Sequence, residues 1–277
     1  MQSPFHVLTA YKEFRIMLLS RLKTPCAPGW LRVPQEWHLL LAALLIYVGV
    51  VLQAVAAEPL TIAAGAGYKR PVAELAAAYE RSAGIKVETF FGNMGQVLAQ
   101  TAQSERVAVV FGDLVFLENA GELKFARFLP AGKGRLVLAW PTGRQLASAQ
   151  ALADPAVARI ALPDVRHAVY GKAGSEFLDR SGLADKVQGR LITVATVPQV
   201  SAYLVSGEVD AGFINLTDAL GLRERIGGYI EIDPALYGEI RIVGGVVAGR
   251  EDQPGVAEFG SFLQGAEARA ILSRHGL

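Results

Sequence analysis

Beyond residue 57 the sequence predicts an α/β protein with mostly parallel sheets. Three observations lead to this fold class. Short apolar runs alternate with stretches of helical periodicity over about 220 residues. Glycine-rich turns join several of these runs to the helix that follows. Neither an internal repeat nor a low-complexity linker interrupts the alternation, and the length allows two lobes of roughly 100 residues each.

The first unit of this pattern is a strand, a turn, a helix and a second strand. The apolar run 60–64 leads through the turn 65–68 into a helix that opens near Pro71, since proline is tolerated in a first helical turn. Gly84 is expected to end this helix, after which residues 85–91 return to strand alternation. The segment therefore predicts a βαβ unit.

The same alternation continues to the C-terminus. Further strands are predicted over 107–111, 135–140, 159–162, 191–194, 211–215 and 240–247. Further helices are predicted from the turn 92–95 through residue 101, over 174–181 and 198–206, and as one or two closing helices over 256–275. Periodicity alone leaves open whether the strands form one sheet or two.

The first 57 residues are expected to be a leader. The apolar run Leu39–Val55 follows five basic residues and ends in the small-residue pattern Ala54-Val55-Ala56. This order is typical of a signal peptide that is cleaved near Ala56 or Ala57, which predicts a periplasmic or otherwise extracytoplasmic product. An uncleaved membrane anchor is the alternative, because the run approaches the roughly 20 residues that a bilayer span needs.

The charge balance and the cysteine content narrow the possible partners. Residues 58–277 contain 22 Lys and Arg (27 less five in the leader) and 24 Asp and Glu (26 less two), a net charge of about −2. A nearly neutral chain argues against a nucleic-acid partner. The single cysteine, Cys26, lies in the leader, so neither a disulfide nor a cysteine metal site is expected after it.

Motifs of the common enzyme classes are missing from the sequence. After the leader the histidines are His167 and His275, and neither Gly-x-Ser-x-Gly nor His-Glu-x-x-His occurs. The turn Gly65-Ala66-Gly67 is not followed by the third glycine of a dinucleotide fingerprint. We therefore expect a binding protein without cofactor or metal site, and not an enzyme.

Several segments together have the pattern of a known family. The most specific is Gly-Glu-Val-Asp-Ala-Gly-Phe at 207–213, followed by Asp-Ala at 218–219. The others are the turn 62–67, the turn after Phe90-Phe91, the segment 163–174 and the ending 274–277. These segments resemble the extracellular molybdate-binding proteins of ABC importers, within the type II periplasmic binding proteins, and the resemblance covers nearly all of residues 60–277.

The resemblance implies two lobes joined by two crossing strands near 136–140 and 240–245. The first lobe would comprise residues 58–138 plus 246–277, and the second lobe residues 139–245. A small oxyanion such as molybdate or tungstate would bind in the cleft between the lobes, which close about the hinge and deliver it to an ABC permease. The protein would act as a monomer.

Helix starts explain how such a cleft binds an anion without lysine or arginine. The carboxyl ends of parallel strands are the usual site in α/β sheets, and the helices that begin there present unpaired N–H groups and partial positive charge. Four turns have this form: 65–68, 92–95, 167–171 and Thr196-Val197. The candidate ligand-binding residues are Gly65, Ala66, Gly67, Tyr68, Asn93, Met94, Gly95, Tyr170, Val197 and Asn215.

The sequence departs from the family at the site. The family's two hydroxyl side chains and late tyrosine correspond here to Gly67, Met94 and Asn215, while its two backbone donors fall near Tyr170 and Val197. Three lost hydroxyls at roughly 1–3 kcal/mol each would weaken oxyanion binding unless other groups replace them. Possible replacements are Asn93, Asn215, Tyr68, Tyr170, Lys69, Arg70 and Lys172.

Several alternatives follow from these departures. The ligand can be larger or a complexed anion, or a nest of backbone amides at the four glycines of the first two turns can still hold molybdate. A sensing role without uptake and a membrane-tethered enzyme are the other function classes. Each residue also has a purely structural interpretation: tight turns for the glycines, packing for Met94 and Tyr170, a cap for Asn215, solvated charges for Lys69 and Arg70, and a turn for His167.

Overall fold

The computed structural model describes residues Glu58–Leu277, folded as one compact unit. The expected leader, with its apolar run 39–55 and its cleavage site, lies outside these residues. Among the helices that are described, none combines the length and the apolar character needed to cross a membrane.

The strands form two five-stranded sheets. Sheet one contains β1 (Leu60–Gly65), β2 (Val87–Gly92), β3 (Val107–Asp113), β4 (Phe125–Gly134) and β10 (Ile240–Val247). Sheet two contains β5 (Leu136–Trp140), β6 (Ile160–Pro163), β7 (Leu191–Val194), β8 (Ala211–Asn215) and β9 (Gly228–Glu231). We call the parts built on sheets one and two the first lobe and the second lobe.

The helices connect and cover these strands. They are α1 (Lys69–Ala83), α2 (Met94–Gln103), α3 (Leu114–Glu118), α4 (Val169–Arg180), α5 (Ala184–Val187), α6 (Val197–Ser206), α7 (Leu216–Leu222), α8 (Val256–Leu263) and α9 (Ala266–Arg274). A short 3₁₀ turn, Ala66–Tyr68, leads from β1 into α1.

Both sheets have the same topology. Sheet one has the order β2-β1-β3-β10-β4, in which β10 alone runs against the other four strands. Sheet two has the order β7-β6-β8-β5-β9, in which β5 alone is reversed. The predicted α/β class with mostly parallel sheets is confirmed, because four of five strands in each sheet share one direction.

The chain passes between the sheets twice. The first passage is at Arg135, between β4 and β5, and the second is the segment 232–239, between β9 and β10. The crossing strands expected from the family resemblance correspond to β5 and β10, the reversed strand of each sheet. Each of them lies within a single sheet, and the exact lobe boundaries given above stay a prediction.

The details of several elements differ from the sequence prediction. The helix expected from residue 174 starts five residues earlier, at Val169. The sequence does not show this start, because the N-cap residue Ala168 has no capping side chain. Strand β4 was not predicted, since it is an edge strand that contains Pro130 and pairs with two irregularities of register. Helices α3 and α7 and strand β9 are too short for periodicity to show.

Helix ends follow the expected chemistry. Gly84 ends α1 in the left-handed region at φ 69°, a conformation that glycine adopts without steric cost. The closing segment forms two helices, α8 and α9, with Gly265 as the N-cap of the second. Tyr79 of α1 packs against Phe259 of α8 with ring centroids 5.2 Å apart. This contact fixes the closing helices on the first lobe.

The family-like stretch at 207–213 has a structural role centred on Asp210. Its buried carboxylate accepts hydrogen bonds from the N–H groups of Ala158 at 2.9 Å and Arg159 at 2.8 Å, and from Arg144 at 2.9 Å. These contacts join the start of β8 to the segment before β6. They order the second sheet and lie away from the ends of its strands that face the first lobe.

Replacing Asp210 by Ala should destabilise the second lobe, because two backbone N–H groups and a guanidinium lose their common acceptor. We expect the midpoint of thermal unfolding to fall by roughly 5 to 10 °C. The matched control is Asp252→Ala, which removes an exposed carboxylate. Equal midpoints for the two variants, measured by calorimetry, would contradict the structural role of Asp210.

Candidate functional site

Four helix starts converge between the two lobes. The 3₁₀ turn before α1 and the start of α2 follow β1 and β2 of sheet one, and the starts of α4 and α6 follow β6 and β7 of sheet two. Between them lies a cavity of about 20 Å³. Since roughly 10–15 Å³ suffices for one water, the cavity has room for a water or a small ion.

Eight of the ten candidate residues line this inner cavity. They are Gly65, Ala66, Gly67, Tyr68, Asn93, Met94, Tyr170 and Val197. Gly92, Ala168, Val169 and Thr196 also line it; they belong to the predicted turns 92–95, 167–171 and 196–197 but are not among the ten candidates. Gly95 and Asn215 lie outside the lining. A role of the ten candidate residues in ligand binding stays a prediction.

The starts of α4 and α6 leave backbone donors at the cavity. Neither Ala168 nor Thr196, the two N-cap residues, caps its helix with a side chain. The first N–H groups of a helix have no acceptor within the helix, so those of Val169, Tyr170 and Val197 need one from outside it. A ligand oxygen in the cavity can supply that acceptor.

The start of α2 is different, because the N–H groups of Asn93, Met94 and Gln96 are already used. The side chains of Asn93 and Gln96 form a capping box: Asn93 Oδ1 accepts from Gln96 N at 2.9 Å, and Gln96 Oε1 accepts from Asn93 N at 3.2 Å. The N–H of Met94 donates to the carbonyl of His167 in the second lobe at 2.8 Å. Of the donors expected at this turn, the N–H of Gly95 has no hydrogen-bond partner among the described residues.

Met94 serves as packing behind the cavity. Its side chain is 1% exposed. A Cβ on Gly65 would lie 3.2 Å from the Met94 sulfur, and a Cβ on Gly112 would lie 2.6 Å from its methyl carbon. The thioether thus fills the space left by two glycines, in agreement with the packing interpretation.

Asn215 holds the lobes together at the side of the cavity. It is completely buried, its Nδ2 donates to the carbonyl of Gly67 at 2.7 Å, and its Oδ1 accepts from the N–H of Asp218 at 3.1 Å. A Cβ on Gly67 would lie only 3.2 Å from that Nδ2. Glycine at 67 and asparagine at 215, two of the departures from the family, therefore fit each other.

Two tyrosines provide buried hydroxyls without a protein partner. Tyr68 and Tyr170, one from each lobe, are each 2% exposed, with ring centroids 6.1 Å apart. Within residues 58–277 neither hydroxyl makes a hydrogen bond of good geometry, although the two hydroxyls lie close enough to each other to affect each other's pKa. Burial raises the pKa of both phenols above the ordinary value, so both stay neutral donors. A Cβ on Gly134, beside the first passage between lobes, would overlap the Tyr170 hydroxyl.

Charged side chains do not line the cavity. Lys69 lies over the Phe91 ring at 5.9 Å, and Arg70 reaches Asp218 of the second lobe at 3.6 Å. Lys172 pairs with Glu176. The three cations considered as replacement donors are thus engaged elsewhere, and the inner cavity offers neutral donors alone.

His167 belongs to the turn before α4. Its Nδ1 lies 2.9 Å from Asp164 Oδ1. Burial opposes ionisation of Asp164, but hydrogen bonds from the N–H groups of His167 and Arg166 outweigh it and hold the pKa of this carboxyl below its ordinary value. The charged Asp164 thereby fixes the loop that carries the His167 carbonyl to Met94.

Comparison with known proteins identifies the family. The profile described as bacterial extracellular solute-binding protein matches residues 60–277. The chain belongs to this family. It is a family of solute-binding proteins and not one of enzymes, in agreement with the motifs missing from the sequence.

Individual relatives of this solute-binding protein agree with the sequence resemblance. The molybdate-binding protein ModA of Azotobacter vinelandii is 24% identical over 246 residues, which cover 85% of this chain and 97% of the relative. A binding protein of Haemophilus influenzae is 30% identical over 185 residues, covering 62% and 72%. The solved structure of the Azotobacter vinelandii periplasmic molybdate-binding protein has a TM-score of 0.71 at 25% identity, covering 78% and 97%.

These matches confirm the resemblance to molybdate-binding periplasmic proteins and the two-lobed type II fold. The match to the solved structure extends over 97% of that protein, so both lobes of the solute-binding fold are present in this chain. The inner cavity lies between the lobes, where the fold class predicts it.

The two tyrosine hydroxyls give a test of the site without ligand. Removing the unpartnered hydroxyl by Tyr68→Phe should leave the free energy of unfolding unchanged or raise it by up to about 1 kcal/mol. The matched control is Tyr79→Phe, whose hydroxyl donates to the Gly255 carbonyl at 3.0 Å, and which should lose about 1 kcal/mol. Equal losses in denaturant unfolding would show that the Tyr68 hydroxyl is bonded after all.

Proposed function

We propose that this solute-binding protein captures a small tetrahedral oxyanion, molybdate or tungstate, outside the cytoplasmic membrane and delivers it to an ABC permease. The observation that supports this most strongly is the convergence of uncapped helix starts on one small cavity. Two relatives that match this chain over almost their full length are molybdate-binding proteins. Helix N–H groups and dipoles stabilise an anion without a formal positive charge nearby.

The donors of the inner cavity favour a fully deprotonated oxyanion. The N–H groups of Val169, Tyr170 and Val197 are donors at the cavity, and no carboxylate lines it. A ligand such as hydrogen phosphate carries a proton that needs an acceptor, and a carboxylate is the strongest one available in proteins. Molybdate, tungstate and sulfate have no such proton at neutral pH.

The size of the cavity favours a small ligand over the larger or complexed anion that the sequence left open. A cavity of about 20 Å³ is far below the roughly 300 Å³ at which drug-sized sites begin. The lost hydroxyls of the family are compensated in this proposal by Tyr68 and Tyr170. Both residues line the cavity, and both hydroxyls are buried beside it, so a small rotation of each ring would be needed to present them to a ligand.

Titration of the purified protein with molybdate, tungstate, sulfate and phosphate tests the proposal. A ligand present at about 100 times its dissociation constant stabilises the folded state by roughly 2.7 kcal/mol, which a thermal-shift assay detects. We expect molybdate and tungstate to stabilise the protein and phosphate to have the smallest effect. No shift with any of the four anions would contradict an oxyanion ligand.

Proline substitution at the helix starts tests the individual donors. Val169→Pro and Val197→Pro each remove one N–H at the first helical position, where proline fits, and the extended residues before them tolerate a following proline. Loss of a hydrogen bond to an anion should weaken molybdate binding roughly ten- to hundredfold by calorimetry.

The matched control for these variants is Ala266→Pro. It removes the N–H at the first position of α9, an exposed site that follows an extended Gly265 and is not part of the inner cavity. Molybdate affinity should stay at the wild-type value in this variant. An equal loss of affinity in all three, or none in the two cavity variants, would overturn the assignment of these N–H groups as ligand donors.

A further inference from the structure

A larger groove lies next to the inner cavity, between the two lobes. Met94 and Ala168 line the cavity, while their chain neighbours Gly95 and His167 line the groove. The hydrogen bond from the N–H of Met94 to the carbonyl of His167 spans the lobes between the two spaces. The groove has a volume of about 620 Å³, within the range of roughly 300–1,000 Å³ that is typical of small-molecule sites.

We call this space the mouth groove. It is defined by Leu98, Val115 and Phe116 on the first lobe and by Val165, Arg166 and Lys172 on the second. Its walls therefore come from both lobes, so a molecule bound in it contacts both at once and favours their closed arrangement.

Apolar surface is concentrated in the mouth groove. Val115 and Val165 are 41% and 39% exposed, and they are the large hydrophobic residues that stand exposed within residues 58–277. They belong to opposite lobes and line the same space, together with the partly buried Leu98 and Phe116. Exposed apolar side chains that cluster in a concave surface indicate a binding site, whereas scattered ones do not.

The charges of the mouth groove are positive. Its lining includes Arg166 and Lys172 and contains no carboxylate. His167 pairs with Asp164 at 2.9 Å and Lys172 pairs with Glu176. Among the described residues no carboxylate lies within 4.0 Å of the Arg166 guanidinium, which leaves its planar pair of donors available for a carboxylate of a ligand.

We infer that the mouth groove is a second binding site, for a small organic anion with an apolar body, such as an aromatic or branched aliphatic carboxylate. The anionic group pairs with Arg166, and the apolar body contacts Val115 and Val165. This site is separate from the proposed oxyanion site, because the two spaces share no lining residue and differ in volume about thirtyfold.

Calorimetric titration of the purified full chain with three probes tests the chemistry of the mouth groove. Benzoate has both the charge and the apolar body, acetate has the charge alone, and benzamide has the body alone. We expect saturable binding of benzoate at millimolar concentrations and at least about tenfold weaker binding of the other two. Absence of saturable benzoate binding, or equal binding of all three probes, would overturn the inference.

Two variants locate the bound benzoate. Arg166→Glu reverses the charge, and the double variant Val115→Ser/Val165→Ser removes exposed apolar surface, so neither disturbs the core. Each should weaken benzoate binding about tenfold or more. Arg225→Glu, the same charge reversal at an exposed arginine outside the groove, should leave the affinity unchanged. Unchanged benzoate affinity in both groove variants would overturn the site.

Oxyanion titration keeps this inference distinguishable from the proposed function. The groove variants should bind molybdate as the wild type does, because their residues do not line the inner cavity. Displacement of benzoate by molybdate in direct competition would place both in one site and contradict a separate groove. Failure of the wild type to bind any oxyanion would contradict the proposed function. The benzoate titrations would still decide whether the mouth groove is a binding site.

Discussion

The structure depends on backbone N–H groups at two helix starts that the protein itself does not satisfy. Buried N–H groups are almost always paired in native proteins, and leaving one without an acceptor costs about 1–3 kcal/mol. Helices α4 and α6 begin after the N-cap residues Ala168 and Thr196 without a capping side chain, directly beside the inner cavity. An acceptor bound in that cavity would satisfy these N–H groups and stabilise the folded protein.

The lobes meet through a few polar contacts around this cavity. Met94 N donates to the His167 carbonyl, Asn215 Nδ2 donates to the Gly67 carbonyl, and Thr217 Oγ1 donates to the His275 carbonyl at 2.9 Å. Each such hydrogen bond contributes about 0.5–1.5 kcal/mol net. Because the sum is small, a ligand that contacts both lobes would add appreciably to the interaction between them.

The sequence predicted most of the fold and much of the candidate site. Apolar runs predict buried strands such as β1, β3 and β8, and Gly84 marks the end of α1. Edge strand β4 shows no clear period in the sequence, because it contains Pro130 and is partly exposed. The helices α3 and α7 are too short to show a helical period. Eight of the ten candidate residues lie at the cavity, because the alternation of strand, turn and helix places helix starts at the carboxyl ends of the strands.

The sequence by itself determined the α/β alternation, the turns that open helices at strand ends and the absence of charged groups from those turns. Tertiary structure decided which donors stay free. The Asn215 amide is used by Gly67, 148 residues away along the chain, and the N–H of Met94 is used by His167 of the other lobe. Hydrogen-bond partners so distant in sequence are fixed only when the two lobes come together, since local patterns contain no information about them.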